Sequence, residues 1–369
     1  DLARRRRMER VPGGAVRLFE GLLAQEMRSR IALVGMGVGL LMAMSCGPDD
    51  RTQLVVRTTL PDDLRDFVES SFEEIYPYID VRFTEGEVAG SLHELQLATD
   101  PPPFDVWWGA PGVALERAAD AGLLAPHRPR WVRQAGVGEP NVEGLWQVTL
   151  VTPFVVAFNR EVMTLARAPT DWLDLFHHRW VDQIYALDPS RSDDGAYFLG
   201  TMVAESIRDE GDEYIGFEWL GRLDNQVGRY VSEAADAIRA LQRQEALLTI
   251  LPRAEVEKAR ADGDDWLHYR IPETGTPMLT LGVAMVRGTG AAAAAARFIE
   301  HVGSLEVGTE AKLETRWQPA HGNVDMTRIP GGFEIDQRGS AFPLALDTIT
   351  GNLQRWVTRW NLEVRGRGK

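Results

Sequence analysis

The stretch "FDVWWGAPGVALERAADAGLL", Phe104 to Leu124, changes its periodicity halfway along. Val106, Trp107 and Trp108 make a β-branched and aromatic run that ends at Gly109, which reads as a strand. From Gly112 onward the pattern reads as a helix closed by Gly122. Upstream, "QLVVRTTL" (Gln53 to Leu60) is a strand. Pro61, Asp62 and Asp63 then open a helix, with Leu64, Phe67, Val68 and Phe72 at helical spacing to about Tyr76. "IDVRFTEG" reads as a second strand and "SLHELQLAT" as a second helix capped by Ser91. Strand, helix, strand, helix, strand is the order of a mostly parallel sheet with helices on its faces, an α/β fold.

The middle of the chain repeats this style. "TPFVVAFNR" (Thr152 to Arg160) is a long apolar strand, "DWLDLF" a helical turn, "QIYALDPS" a strand and "GAYFLGTMVAESIRDEG" a helix. "EYIGFEWLGRLD" and "SEAADAIRALQRQ" read as helices, "ALLTILP" as a strand and "AEVEKARADG" as a helix. "PMLTLGVAMVRG" is a second long apolar strand, followed by an alanine-rich helix from Ala291 to His301. The chain after Arg316 is irregular, and "FPLALDTITGNLQRWVTRW" returns to an amphipathic helix.

At 369 residues, 44% apolar and 25% charged, the chain has the balance of a two-domain globular protein. Beyond Cys46 it holds 32 basic against 50 acidic residues. Such an acidic body repels nucleic-acid phosphates, so no nucleic-acid partner is expected. Cys46 is the one cysteine and forms no internal disulfide: it is a spare core residue, a nucleophile or an attachment point. It follows "MRSRIALVGMGVGLLMAMS", two arginines and a short apolar run laid out like a secretory signal peptide and short for a membrane span. Ser45 before Cys46 resembles a bacterial lipobox, in which the thiol is lipidated; Ala43 and Met44 depart from the usual pattern. Residues 1–26 are expected to lie upstream of the true start, with 27–45 the signal segment and 46–52 a tether.

Seven landmarks in order, "FDVWWGAP", "LERAADAGLLAP", "VTPFVVAFNRE", "APTDWLDLF", "ALDPSRSDDGAYFL", "ALLTILP" and "YRIPETGTPMLTLGVAMVRG", resemble the solute-binding proteins of ABC importers, in the group with ferric-iron, phosphonate, thiamine and polyamine binders. The resemblance implies the two-lobed periplasmic-binding-protein fold (type II), each lobe a mostly parallel sheet flanked by helices, joined by two crossing strands. It places lobe 1 at 53–150 and 277–369 and lobe 2 at 151–276. It implies a periplasmic monomer without a cofactor that holds a small-molecule solute between closing lobes, meets an ABC permease, and is tethered to a membrane through Cys46. A sensor or interaction protein on the same fold, signalling to a membrane receptor, is the alternative.

Ligands in open α/β sheets sit beyond the carboxyl ends of the strands. That rule selects Thr58 and Thr59, Gly90 and Ser91, and Trp108 and Gly109, with Trp108 rather than Trp107 expected in the cleft. In lobe 2 the turn "DPSRSDDGAYF" keeps Ser190, Ser192 and Gly195 of an anion-holding turn and adds Arg191, while Asp193 and Asp194 counter that field. Anionic, cationic and zwitterionic ligands all stay open. Tyr230, Arg253 and Glu273 are further cleft candidates from their places in family-like segments. Iron binders carry adjacent tyrosines after the strand matching "ALLTILP"; here the chain reads "LPRAEVEKA", which argues against ferric iron. His177 and His178 fall outside the inferred cleft, and no metal site is expected. The chain has no Gly-x-Ser-x-Gly, His-Glu-x-x-His or P-loop motif, so it does not read as an enzyme.

Overall fold

The computed structural model describes residues 50–98, 100–135, 143–323 and 341–367. The segments 1–26 and 27–45, and the tether including Cys46 up to residue 49, lie outside the described residues.

The first run of elements is β1 (Thr52–Thr58), α1 (Asp62–Ile75), β2 (Ile79–Glu85), α2 (Val88–Leu97), β3 (Val106–Pro111) and α3 (Gly112–Asp120). β1 pairs in parallel with β2 and with β3, as the strand and helix alternation predicts. Two local expectations change. α2 begins at Val88, so Ser91 lies inside the helix and is fully buried rather than capping it. β3 runs through Gly109, whose φ of 76° only glycine adopts cheaply, and ends at Pro111.

Short β4 (Leu124–Ala125) leads to β5 (Trp146–Asn159), followed by β6 (Ile184–Leu187), α4 (Asp193–Glu210), α5 (Glu213–Asp224), β7 (Val227–Val231) and α6 (Ala234–Gln242). Then come β8 (Leu248–Pro252), α7 (Arg253–Ala261), β9 (Leu267–Arg270), β10 (Met278–Val286), α8 (Ala292–Val302), α9 (Leu305–Thr315), β11 (Gln318–Pro319) and α10 (Leu346–Glu363). The sheet order is β2-β1-β3-β10-β5-β8-β6-β7. β6 lies parallel to β7 and β8, while β10 and β5 run antiparallel to their neighbours, so two parallel halves meet at an antiparallel seam.

β5 belongs to both halves. Trp146 to Pro153 pair with β10, and Phe154 to Phe158 pair with β8. The second passage between halves is made by Thr276 and Pro277, just before β10, which itself pairs wholly within the first half. The two passages are tied at one level: the Phe154 amide donates to the Pro277 carbonyl at 2.9 Å, and Thr276 Oγ1 donates to the Phe154 carbonyl at 2.7 Å.

Helices cover both faces of the sheet, which explains the unbroken apolar reading of β5. Phe154, Val156 and Phe158 point into one core with Trp172, Phe198 and Trp360; Val155 and Ala157 point into another with Ile238, Leu251 and Val256. The same alternation settles the tryptophan pair. Trp107 packs in the first core and Trp108 in a third, beside Phe298 at 5.8 Å, and each is 1% exposed. Trp108 is therefore a core residue and does not reach the cleft, because the face expected to be open is roofed by α1 and α8.

α10 packs on α4 and on α3, one helix from each half. Arg355 and Arg359 grip the Glu213 carboxylate at 2.7 and 2.9 Å, and the Trp356 indole donates to it at 3.0 Å. These hydrogen bonds, the Arg355 bond foremost, bring Glu213 down to about 2.

Candidate functional site

Helices α2, α3, α4 and α7 each follow on a strand, β2, β3, β6 and β8, and the first residues of α2, α3 and α4 meet around one space between the halves. A cavity of about 410 Å³ opens there. Val88, Ala89, Leu92, His93 and Gln96 of α2 form one wall, Pro111 to Ala114 and Arg117 at α3 the next, Asp193, Asp194, Ala196 and Tyr197 of α4 the third. Leu279 and Thr280 of β10 lie between them, with Leu353 of α10 completing the lining. The composition is that of a small-molecule site: a mostly apolar surface with a few placed polar groups. Residues 89, 93 and 96 share one helical face, which is how α2 presents His93 and Gln96 together.

α4 can approach so closely because residue 195 is glycine; a Cβ there would sit 3.0 Å from the Leu187 carbonyl group. Ser192 caps the helix, its Oγ accepting from the Gly195 amide at 3.3 Å. Ser190 and Arg191 turn inward to Asp188, which is fully buried: Ser190 Oγ donates at 2.6 Å and Arg191 Nε at 2.9 Å, and Arg365 adds a third donor at 2.9 Å. Burial alone would raise Asp188, but the bonds from Ser190 and Arg191 and the Arg365 charge outweigh it and hold the carboxyl below its ordinary range. The serine and arginine of the expected anion turn are thus spent on an internal carboxylate.

Asp194 behaves oppositely. Burial in the cavity wall, then Glu255, Asp193 and Glu233, push it up to about 6. Asp193, Glu233 and Glu255 acting on Asp194 make the start of α4 a poor anion seat.

The remaining strand-end residues scatter. Thr58 is buried and its Oγ1 accepts from the Leu60 amide at 3.1 Å, which shapes the turn into α1. Thr59 and Glu273 are exposed, and Gly90 lies on the open side of α2. Ser91 is buried with its hydroxyl unpartnered, and Gly109 packs against Leu60. Tyr230 donates to Asp224 at 3.1 Å and stands edge-on to Trp360 at 5.0 Å. Of the whole set, Ser192 and Gly195 frame the cavity wall without lining it, and none lines the cavity itself. Asp193 and Asp194, read from the sequence only as countering an anion field, do line it, as do His93 and Arg117, which that reading passed over.

Arg253 is different again. It opens α7, is 1% exposed, and none of its three guanidinium nitrogens has a hydrogen-bond partner. Across from it, on α9, Lys312 is also 1% exposed and donates to the Arg316 carbonyl at 3.0 Å. Burial first, then the Arg253 charge, push Lys312 down to about 8. Nearby Glu257 accepts from the Tyr269 hydroxyl at 2.7 Å. Among the described residues no group of three or more His, Cys, Asp or Glu side chains is placed to hold a metal, and His177 and His178 sit in an outer helical turn.

Comparison with known proteins agrees with this geometry. A probable ABC transporter periplasmic-binding protein of Sinorhizobium fredii is 22% identical over 278 residues, 75% of this chain and 77% of that one. Iron-bound HitA of Pseudomonas aeruginosa superposes with a TM-score of 0.69 at 16% identity, covering 83% of this chain and 98% of HitA. AfuA of Actinobacillus pleuropneumoniae, solved with fructose-6-phosphate, gives 0.64 at 18% identity over 85% and 99% of the two chains. At these identities the likeness is one of fold. A sequence profile for bacterial extracellular solute-binding proteins matches residues 110–326, more than half of the 369, and the chain belongs to that family.

Proposed function

We propose that this protein captures a small polar solute between its two halves and delivers it to an ABC permease. The observation that carries the proposal is the cavity of about 410 Å³ walled by α2 and α3 of one half and α4 of the other. A solute there touches both halves at once, so binding favours the closed arrangement, and the paired passages at Phe154 and Pro277 are the place for a hinge. Lobe 1 is taken as 53–150 with 277–369, and lobe 2 as 151–276. α10, resting on α3 and α4, then spans the two.

Solute capture is tested by thermal unfolding against polyamines, thiamine, phosphonates, sugar phosphates and ferric iron. A true ligand at a hundredfold excess over its Kd is expected to add roughly 3 kcal/mol and raise the midpoint by several degrees. A midpoint unmoved by every class would defeat the proposal.

The same reading places the protein in the periplasm on a lipid anchor at Cys46. No helix among the described residues is long and apolar enough to cross a membrane, so this tether would be separate from the folded body. Fractionation of cells expressing the full chain should find the wild type in membranes and Cys46→Ser in the soluble periplasmic fraction. Membrane retention of Cys46→Ser would rule the thiol out as the tether.

A further inference from the structure

Arginine keeps its proton at any physiological pH, so the unpartnered guanidinium of Arg253 is a charge the ligand-free fold carries at a cost. Lys312 brings a second buried cation near it from α9, while Glu257, already accepting from Tyr269, and Glu255, in the first turn of α7, are the carboxylates of that helix start. The adjacent backbone donor, the Ala254 amide, is committed to Thr152 Oγ1 at 3.0 Å. All three nitrogens of the fork therefore remain for something that arrives.

We propose that Arg253 and Lys312, neither of which lines the cavity between α2, α3 and α4, together hold an oxyanion, a carboxylate or phosphoryl group of a solute, with one cation supplied by α7 and one by α9. A guanidinium fork matches two oxygens of either group in plane, while the ammonium acts as a point charge on a third side. An anion between them also removes the repulsion between the two cations, and so draws α7 and α9 together. The seat is at the start of α7. It is not the serine and glycine turn at α4, where Ser190 and Arg191 serve Asp188 and the charges of Asp193, Glu233 and, from the first turn of α7, Glu255 bear on Asp194. This assignment rests on the protein being a solute binder and narrows what it binds.

The test compares wild type, Arg253→Met and Lys312→Met in thermal unfolding and titration calorimetry, with citrate, inorganic phosphate, fructose 6-phosphate and spermidine as probes. At least one oxyanion probe is expected to raise the wild-type midpoint, and which one does separates carboxylate from phosphoryl recognition. Arg253→Met should match or exceed the wild type in ligand-free midpoint yet bind that probe roughly 100-fold more weakly. Lys312→Met should weaken the same probe, and it carries the test alone if Arg253→Met fails to fold. The proposal is overturned if the probe binds both variants as tightly as wild type, if Arg253→Met folds but melts well below wild type, or if no oxyanion binds at millimolar concentration. Spermidine binding in that last case leaves solute capture standing; no probe binding, together with native mass spectrometry showing no co-purified small molecule, removes both.

Discussion

Replacing Trp360 with alanine is expected to cost about 4 kcal/mol and lower the unfolding midpoint by something on the order of 10 °C. Trp360 is 1% exposed in the largest core, edge-on to Tyr230 at 5.0 Å, with the Arg365 guanidinium 5.4 Å from its ring. A small void of about 20 Å³ already touches its ring, lined by Phe154, Phe198 and Gly195 among others. Truncation would join a whole indole volume to that void, and the neighbouring aromatics are too rigidly interlocked to refill it. Leu362, on the same helix and 61% exposed, is the control: Leu362→Ala should stay within about 0.5 kcal/mol of wild type. Urea titration of both variants decides the matter, and a Trp360→Ala loss under about 1 kcal/mol would mean that α10 is not docked as described.

That helix illustrates what its sequence discloses and what it withholds. The apolar spacing of "FPLALDTITGNLQRWVTRW" announces a helix, and α10 spans Leu346 to Glu363. Nothing in the spacing tells that Arg355 and Arg359 will meet Glu213, some 140 positions upstream, or that Leu353 will close the cavity. Periodicity is a local signal, and partner choice is made by the fold as a whole. β7 and β9 escaped the sequence reading for a related reason: "VGRYV" and "LHYR" are short and half polar, and pairing along β6 and β5 makes them strands. The sheet class, by contrast, was legible because β1, β2, β3, β6 and β8 each read as a strand followed by a helix.

The site was less legible than the fold. Strand-end reasoning points to the helix starts, of which those of α2, α3 and α4 border the cavity, but it cannot tell which side chains turn to the cleft and which turn to the fold. Ser190 and Arg191 turn to Asp188, Trp108 to the core, and Thr58 to its own turn. Lys312 lies in "LEVGTEAKLET", a stretch with no feature to single it out, and only its burial opposite Arg253 marks it.

Asp194→Asn is expected to stabilise the ligand-free protein by about 2 kcal/mol at pH 7.5 and by almost nothing at pH 4. Asp194 occupies the second position of α4, where the helix field favours a carboxylate by roughly 0.3–1 kcal/mol. Burial in the cavity wall, reinforced by Glu255, Asp193 and Glu233, works against that field and wins, bringing the group from 3.8 to about 6. Below pH 3.8 the group is protonated in both states and ionisation costs the fold nothing; relative to that, stability is lost as pH rises from 3.8 through about 6, above which the cost of the ionised carboxylate is complete. Asparagine removes the charge and keeps the shape, so it relieves the cost only where the cost exists. Urea midpoints of wild type and variant at the two pH values provide the measurement, and an equal gain at both, or a loss at pH 7.5, would contradict the electrostatic account. Arg253, in the same half, is a buried charge of opposite sign kept without a partner. Natural sequences discard such residues when nothing is gained by them, and a binding cleft is where unpaired charges have a use, because the solute arrives carrying the missing partner.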